Sequence, residues 1–362
     1  MDKRYTLMAV RTHFVLILAL AITLPAFGQS GRQTSYSEST TRIKAKPVEP
    51  EALSNQDEGT IRVETDLVTV PVRVTSKSSK PLTDLKQSEF RLFENGEEQT
   101  VAYFSSVDQP FTVALLLDMS YSTVFKLSEI QAAAMLFVAQ LKLNDKVTVI
   151  AFDEKPRVLC QPTSDRRVLK LAIEAAKTGS GTSVYDSLEI ALNKQLGDIR
   201  GRKAIVMLSD GVDTSSAKSS KKEILSLIEE DNVLVYPLRY DTFDDVRKNR
   251  RKDAQIRYDE DDKPYIYEEA PKRGEREQDY VEAKEFLDTA AESSGGRVFK
   301  VSSTSNLNVA FTKIAEELRK TYSLGYYPSE ERRPGVTYTL KVRIYRPDLN
   351  IRTRETFIRK PE

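Results

Sequence analysis

The chain has 362 residues, of which 40% are hydrophobic and 30% charged, and its 55 Lys and Arg residues nearly balance 54 Asp and Glu residues. This length and composition predict one large core with a smaller module, and they exclude a wholly disordered or collagen-like chain. The near-neutral charge argues against nucleic acid as a partner, because phosphate contacts require a clustered basic excess.

The N-terminus, residues 1–28, is typical of a secretory signal peptide. Basic residues precede an apolar run at 14–24, and the small residues Ala26 and Gly28 suit cleavage. The run is too short for a comfortable membrane span, so we expect no integral span after cleavage. The sequence therefore predicts a periplasmic or secreted protein, and the alternative is an N-terminal membrane anchor that is not cleaved.

The rarest residue types limit the chemistry. His13 is the only histidine and lies in the predicted leader, and Cys160 is the only cysteine. Without an imidazole, the exported chain lacks the means for Ser-His-Asp or Cys-His catalysis and for the usual zinc sites. Any metal site must use oxygen ligands, which suit magnesium, calcium or manganese. We interpret Cys160 as an ordinary strand residue.

Two stretches lack the large apolar residues that a packed core requires. Residues 29–58 are rich in Ser, Thr, Gln, Lys and Pro and predict a disordered tether. Residues 244–278 alternate blocks of opposite charge with several tyrosines. We interpret them as a flexible insertion in a folded domain, and the alternative is a docking loop.

Two predicted β segments, 59–108 and 321–362, flank a different middle. The Asn95-Gly96 dipeptide predicts a hairpin between the second and third strands of the first segment. The strands are predicted from period-two alternation: 68–74, 90–93 and 101–104, then 322–327, 338–345 and 351–358. Since neither segment has enough strands to close a core, we expect 321–362 to pack with 59–108 in one small antiparallel sandwich. Two separate small sheets are the alternative.

The middle, 109–320, alternates strands with helices. Fully apolar runs at 113–117, 147–152 and 204–208 are typical of parallel strands buried on both faces. Helical periodicity covers 127–141 and 184–192 between them. Further elements are predicted at 233–237, 286–291, 297–301 and 307–318. The predicted fold class is α/β, a doubly wound and mostly parallel Rossmann-like sheet inserted between the two β segments.

Acidic and hydroxyl residues follow the predicted strands at the edge where such sheets bind ligands. Asp118, Ser120 and Ser122 come directly after 113–117, Asp210 follows 204–208, and Thr182 follows a glycine-containing loop. Serines without a nearby base are weak nucleophiles. Carboxylate and hydroxyl oxygens together suit a hard cation that keeps a position open for water or for a carboxylate from outside. The sequence therefore predicts a divalent cation site.

This pattern resembles the metal-ion-dependent adhesion site of von Willebrand factor type A (VWA) and integrin inserted domains, over about residues 110–318. The resemblance implies that Ser120, Ser122 and Thr182 are direct ligands and that Asp118 and Asp210 act directly or through water. It also implies magnesium, with manganese or calcium as alternatives, and a protein partner that presents Asp or Glu. Two features depart from the pattern: Ser180 stands where a second glycine is common, and the charged insertion is long.

The flanking segments also resemble a known group. Residues 70–74, 82–90, 93–99 and 322–328 are similar to those of the exported VWFA-related proteins abundant in Acidobacteria. This likeness covers nearly the whole chain that follows the leader. It implies the architecture and says little about function.

We therefore predict an exported, non-enzymatic binding or adhesion module that captures an acidic group through its cation. One alternative is a structural cell-envelope subunit with a stabilising metal. Another is a metal-dependent phosphohydrolase, which is disfavoured because Ser120 stands where such sites place a second carboxylate. By the motif, Asp213 lies outside the site as a loop residue or helix cap. The sequence leaves the oligomeric state open.

Overall fold

The computed structural model describes residues 67–121, 126–252, 254–328 and 332–359. All of them belong to one compact unit, Arg62–Glu362. The predicted signal peptide, the tether and Ser122 lie outside the described residues. Within the described ranges, no helix has the length and apolarity needed to cross a membrane.

The elements alternate between strands and helices along the middle of the chain. The strands are β1 (Val68–Ser76), β2 (Phe90–Glu94), β3 (Glu97–Gln99), β4 (Tyr103–Ser105), β5 (Phe111–Asp118), β6 (Lys146–Phe152), β7 (Pro156–Thr163), β8 (Arg202–Leu208), β9 (Val233–Arg239), β10 (Gln255–Tyr258), β11 (Pro264–Tyr267), β12 (Phe299–Lys300), β13 (Thr321–Tyr326), β14 (Thr337–Ile344), β15 (Leu349–Thr353) and β16 (Thr356–Ile358). The helices are α1 (Leu127–Gln140), α2 (Arg166–Glu174), α3 (Val184–Glu189), α4 (Lys221–Glu230), α5 (Phe243–Lys252), α6 (Glu277–Ser294) and α7 (Thr304–Arg319), and α3 continues as a π-helical turn, Ile190–Gln195.

A six-stranded sheet in the order β12-β9-β8-β5-β6-β7 forms the centre of the molecule. All neighbouring strands in it are parallel except β6 and β7. Every residue of β5 is buried, as its unbroken apolar run predicts for a strand covered on both faces. The strand β7 contains Cys160, which confirms the interpretation of that residue.

Helices cover both faces of the central sheet. One apolar core joins alternate β5 residues such as Leu115 to α1, α2 and α7. The other joins the intervening residues, such as Leu116, to α3, α4 and α6. This arrangement is doubly wound, so the predicted fold class is confirmed, with antiparallel β segments flanking the parallel sheet.

The flanking strands form two four-stranded sheets, β15-β1-β13-β4 and β16-β14-β2-β3. Strand β1 pairs antiparallel with β13 and β15, and β2 pairs antiparallel with β14. Thus residues from before and after the central domain share both sheets. Val70 and Leu324 from one sheet and Leu92 and Leu340 from the other lie in one apolar core. The two sheets therefore pack as a sandwich.

Two details of the predicted strands are wrong. The turn at Asn95 and Gly96, both with positive φ, joins β2 to the adjacent β3 and not to 101–104. A two-residue turn pairs the residues that directly flank it, and β4 instead joins the other sheet beside β13. The predicted strand 351–358 is two strands that separate at Arg354. This side chain is 2% exposed and donates to the carbonyls of Glu229 and Asp231 at the end of α4.

The charged segment 244–278 contains most of α5 and the two-stranded hairpin β10–β11. Its start and end both touch the loop that follows β8. Thr242, just before α5, donates to Asp210, and Arg273 forms an ion pair with Asp213. The segment therefore leaves from and returns to the carboxyl-terminal edge of the central sheet.

Candidate metal centre

Asp118 ends the central strand β5 and is fully buried. One of its carboxylate oxygens accepts a hydrogen bond from the Ser120 amide at 3.0 Å. The other accepts a hydrogen bond from the Ser209 hydroxyl at 2.7 Å. Since Ser209 follows the neighbouring strand β8, the second contact ties the two strand ends together. The carboxylate is thus fixed at the edge where parallel α/β sheets bind ligands.

Asp210 is the second carboxylate at this edge and is 6% exposed. Its Oδ1 accepts a hydrogen bond from the Val212 amide at 3.0 Å, and its Oδ2 accepts one from the Thr242 hydroxyl at 2.6 Å. The Thr242 hydroxyl lies 3.0 Å from the Tyr280 hydroxyl. Asp210 is therefore fixed by its own loop and by Thr242, the residue before Phe243 at the start of α5. Thr242 in turn contacts α6.

The two carboxylates interact unfavourably with each other. Burial raises the pKa of Asp118 above its ordinary value, against hydrogen bonds that involve Ser120, Ser209 and Tyr240. Burial, and next the charge of Asp118, raise the pKa of Asp210 to about 7. Within the described ranges, neither carboxylate forms an ion pair with Lys or Arg. A cation between them would relieve both desolvation and repulsion, so the donor set fits a divalent metal ion.

The loop 179–182 links the segment after β5 to the loop after β8. The Gly179 amide donates to the Met119 carbonyl at 2.8 Å, and the Tyr121 amide donates to the Gly179 carbonyl at 3.0 Å, which sets Gly179 beside Ser120. On the other side, the Thr182 amide donates to the Thr214 hydroxyl at 2.9 Å. The buried Thr182 is thereby placed between the segment after β5 and the loop after β8.

Four of the five site residues predicted from the sequence, Asp118, Ser120, Thr182 and Asp210, thus lie at one edge of the sheet. The fifth, Ser122, is outside the described residues. In the described part of the chain, no group of three or more His, Cys, Asp or Glu side chains is placed to hold a metal ion. A cation here therefore depends on hydroxyl oxygens in addition to the two carboxylates.

Asp213 serves a different purpose at the same edge. Its Oδ1 accepts a hydrogen bond from the Val184 amide at 2.9 Å, at the first residue of α3. Its Oδ2 accepts a hydrogen bond from Arg273 at 2.8 Å. Asp213 is thus a loop residue whose carboxylate satisfies a free amide at the start of α3, although Ser183 is the residue that precedes the helix.

Gly179 is required by close packing. A Cβ at this position would lie 2.1 Å from Asp153 Oδ2, and the same carboxylate accepts hydrogen bonds from Arg157 at 2.7 and 2.8 Å. Gly179→Ala must therefore displace the loop or break this ion pair, and we expect it to destabilise the fold by about 1–3 kcal/mol. Urea unfolding measures the change.

The matched control for this prediction is Ser180→Ala, which alters the next and exposed residue of the same loop. We expect its effect to stay within about 0.5 kcal/mol, because surface substitutions away from special contacts have small effects. Equal unfolding midpoints for the two variants would contradict the packing argument.

Comparison with known proteins gives the family of the central domain. Residues 113–212 match the family model described as "von Willebrand factor type A domain". This segment is part of a VWA domain. The match includes Asp118, Ser120, Thr182 and Asp210, and it ends before α4. No curated protein matches the chain.

The chain is also similar to solved structures. One is an aerotolerance-related membrane protein from Bacteroides fragilis, with 17% identity, a TM-score of 0.39, and coverage of 58% of this chain and 98% of that one. Another is a von Willebrand factor type A protein from Catenulispora acidiphila, with 11% identity, a TM-score of 0.43, and coverage of 82% and 74%. A third is proximal thread matrix protein 1 from the mussel byssus with a zinc-occupied MIDAS motif, with 14% identity, a TM-score of 0.43, and coverage of 62% and 48%. At these scores, none of the likenesses carries an argument about function.

Three residues that hold the carboxylates of the VWA domain were missed by the sequence reasoning. Ser209 directly precedes Asp210, and its position at the end of a predicted strand could have identified it as a residue of the candidate site. Thr242 follows β9 by three residues, so it lies at the next strand end of the same sheet. Tyr280 lies inside α6, and no sequence pattern links a tyrosine of a distant helix to this edge.

Proposed function

We propose that this chain is an exported, non-enzymatic binding module that coordinates a divalent cation at the carboxyl-terminal edge of its VWA domain. Through that cation it would capture an acidic group of a protein partner. The observation that carries the proposal is the pair of buried carboxylates, Asp118 and Asp210, which repel each other and have no basic partner among the described residues. Such a pair is stabilised by a bound cation.

Asp118, Ser120, Ser122, Thr182 and Asp210 would hold the ion. Magnesium fits this oxygen donor set, and manganese and calcium are the alternatives. When bound, the cation would supply an electrophilic position for a carboxylate oxygen. The chain's own residues orient the donors: Ser209 and Thr242 fix one oxygen of each carboxylate. Because a carboxylate has about four lone-pair positions, each side chain retains acceptor capacity beyond these hydrogen bonds.

The arrangement favours binding over catalysis. Asp118 is fully buried, and both of its oxygens accept hydrogen bonds, which positions the carboxylate but leaves it a poor nucleophile. The residue two positions later is Ser120, so the second carboxylate of an aspartyl phosphohydrolase is missing. A structural envelope subunit in which the cation only stabilises the domain remains the second candidate.

The proposed location and domain limits rest on the sequence. The leader at 1–28 and the tether at 29–58 would place the module outside the cytoplasm, at the end of a flexible segment. The VWA domain would span 109–320, between the β segments 59–108 and 321–362. The tether would allow the edge of the sheet that carries the proposed cation site to approach a partner at some distance from the point of attachment.

Calorimetry tests the metal site. We expect the chain to bind magnesium or manganese, and we expect Asp118→Ala combined with Ser120→Ala to abolish the binding isotherm while circular dichroism shows a retained fold. The matched control is Asp213→Asn, which alters a buried carboxylate on the same loop that accepts a hydrogen bond from the first amide of α3. An unchanged isotherm in the double variant, or an equal loss in the control, would refute the site.

Capture of a partner is a separate step with its own test. Cell-envelope proteins retained on the immobilised chain with magnesium should be released by a chelator and should not be retained by the double variant. If the metal binds and raises the melting temperature but retention is the same with and without it, the structural-subunit candidate is correct instead.

A further inference from the structure

Three arginine side chains converge on the single carboxylate of Glu317, which lies on α7. Arg297 and Arg352 form ion pairs with it, and Arg73 Nη2 lies 3.8 Å from its Oε1. In the described ranges, none of these arginines forms an ion pair with another acid. Three positive charges therefore share one negative charge, which leaves an excess of two positive charges at this place.

The fold itself brings the arginines together. Arg73 and Arg352 are directly opposite each other on the antiparallel strands β1 and β15. Like charges in directly opposite positions destabilise a sheet. Arg297 lies two residues before β12, and its guanidinium lies 4.4 Å from the centre of the Phe299 ring. Since β15 and β12 are edge strands of their sheets, the cluster joins an edge of the sandwich to an edge of the central sheet.

Partial burial makes the excess charge unfavourable. Arg73 Nη1 and Arg352 Nε are buried and have no hydrogen-bond partner among the described residues. A guanidinium has five N–H donors and no acceptor, and a buried donor that stays unpaired destabilises the fold. Burial lowers the pKa of Arg73, and the charge of Glu317 opposes this shift only in part. One carboxylate therefore does not satisfy the donors and the charge of the cluster.

We propose that the cluster binds a tetrahedral oxyanion, a phosphate or sulfate group, between Arg297 and Arg352. These two side chains are 44% and 30% exposed, so an anion can approach them from solvent. Both reach the same carboxylate, which brings their remaining N–H groups close enough to donate to one ligand. Planar guanidinium groups of this kind recognise the oxygens of phosphate in pairs.

Charge favours a tetrahedral oxyanion over a carboxylate from a partner. A phosphate group carries a charge of about −1.5 to −2 near neutral pH, which matches the excess of two positive charges. It also offers at least three oxygens to several guanidinium groups at once. A carboxylate supplies one negative charge and two oxygens. It would leave part of the excess charge in place.

Isothermal titration calorimetry with inorganic phosphate, in metal-free buffer at constant ionic strength, tests the site. We expect the full chain to bind phosphate with a dissociation constant in the millimolar range or below, and to bind acetate more weakly. Arg297→Gln and Arg352→Gln should each raise the phosphate dissociation constant at least about tenfold, because each guanidinium donates charge-assisted hydrogen bonds. The matched control is Arg167→Gln, which removes the same charge from a 93% exposed side chain and should not change phosphate binding.

Glu317→Gln separates an anion site from a cluster that is only structural. It removes the negative charge that repels the ligand, so phosphate should bind at least about threefold more tightly. Damage to the fold alone would weaken binding in this variant as it does in Arg297→Gln and Arg352→Gln. Circular dichroism checks that each variant is folded. If Glu317→Gln does not fold, the two arginine variants and the control decide the test.

A second probe identifies the source of the oxyanion. Vesicles of phosphatidylglycerol that retain the full chain but not Arg297→Gln or Arg352→Gln would indicate a lipid headgroup. Binding of inorganic phosphate without retention on vesicles would indicate a free anion. Any association of the N-terminus with the vesicles is common to all of these proteins.

Three outcomes would overturn the proposal. One is an original chain that binds neither inorganic phosphate nor the vesicles. The second is an equal loss of binding in Arg167→Gln, and the third is acetate binding as tight as phosphate binding. The cluster includes none of the proposed metal ligands, so Asp118→Ala combined with Ser120→Ala should leave phosphate binding unchanged. This separates its test from that of the metal site.

Discussion

Glu317→Gln is expected to destabilise the folded chain by about 3–5 kcal/mol, because removing one member of a buried ion pair leaves the other charge uncompensated. Glu317, on α7, is 2% exposed. Its carboxylate pairs with Arg297, which lies just before β12 of the central sheet, and with Arg73 and Arg352 of the sandwich. The side chain of Arg73 is only 14% exposed, so it depends most on this carboxylate. The loss should appear as a lower urea midpoint.

The neighbouring residue is a matched control for this prediction. Glu316 is 57% exposed and lies 3.9 Å from Lys320. Since exposed ion pairs contribute roughly 0–1 kcal/mol, Glu316→Gln should shift the midpoint little. Similar midpoints for the two variants would mean that the cluster around Glu317 contributes no more than a surface pair. A large difference would show that α7 of the central domain and the sandwich are coupled through one carboxylate.

The parts of the fold that the sequence predicted are those that have a recognisable pattern of residue types along the chain. Unbroken apolar runs marked β5, β6 and β8, because a parallel strand under helices is buried on both sides. For the antiparallel edge strand β7, only a strand residue at Cys160 was predicted and no bounds, because the strand is mostly half-buried and contains two prolines, so it lacks both the run and the alternation. Its sequence pattern is too weak to show where the strand begins and ends.

Burial of charge was not predictable in the same way. Arg354 interrupts the predicted strand 351–358 because its guanidinium reaches carbonyls at Glu229 and Asp231, more than a hundred residues earlier. The alternation of residue types by itself predicted a strand that continues through Arg354. Such a contact depends on how the sandwich meets α4, which is a property of the tertiary packing.

The same distinction applies to the candidate site. Asp118, Ser120, Thr182 and Asp210 were placed at one edge because each follows a recognisable strand or precedes a helix. The residues that fix Asp210 come from elsewhere: Thr242 lies just before the charged insertion, and its hydroxyl contacts Tyr280 of α6. Donor types and strand ends are therefore readable from a sequence, whereas the hydrogen bonds that orient the donors require the fold.

The metal-free protein should lose stability as pH rises from about 4 to about 7. The pKa of Asp210 is raised in the folded chain to about 7, chiefly by burial and then by the charge of Asp118, from an ordinary value of 3.8. Between these two values the folded chain retains a proton that the unfolded chain has released, so rising pH favours unfolding. A shift of this size corresponds to a few kcal/mol, since one pKa unit is about 1.4 kcal/mol.

Urea unfolding in the presence of a chelator, repeated at several pH values, measures this effect. The quantity of interest is the difference in the free energy of unfolding between the original chain and Asp210→Asn. We expect the variant to gain stability relative to the original chain as pH rises through this window, and we expect saturating magnesium to reduce its advantage.

Asp153→Asn is the control. Burial opposes the ionised form of Asp153, but hydrogen bonds from Arg157 lower its pKa overall, so its contribution changes only below its ordinary value. Between pH 5 and 7 the Asp153 difference should therefore stay constant. A constant Asp210 difference over the same range would mean that the carboxylate ionises there without penalty, and repulsion from Asp118 would then provide no driving force for binding a cation.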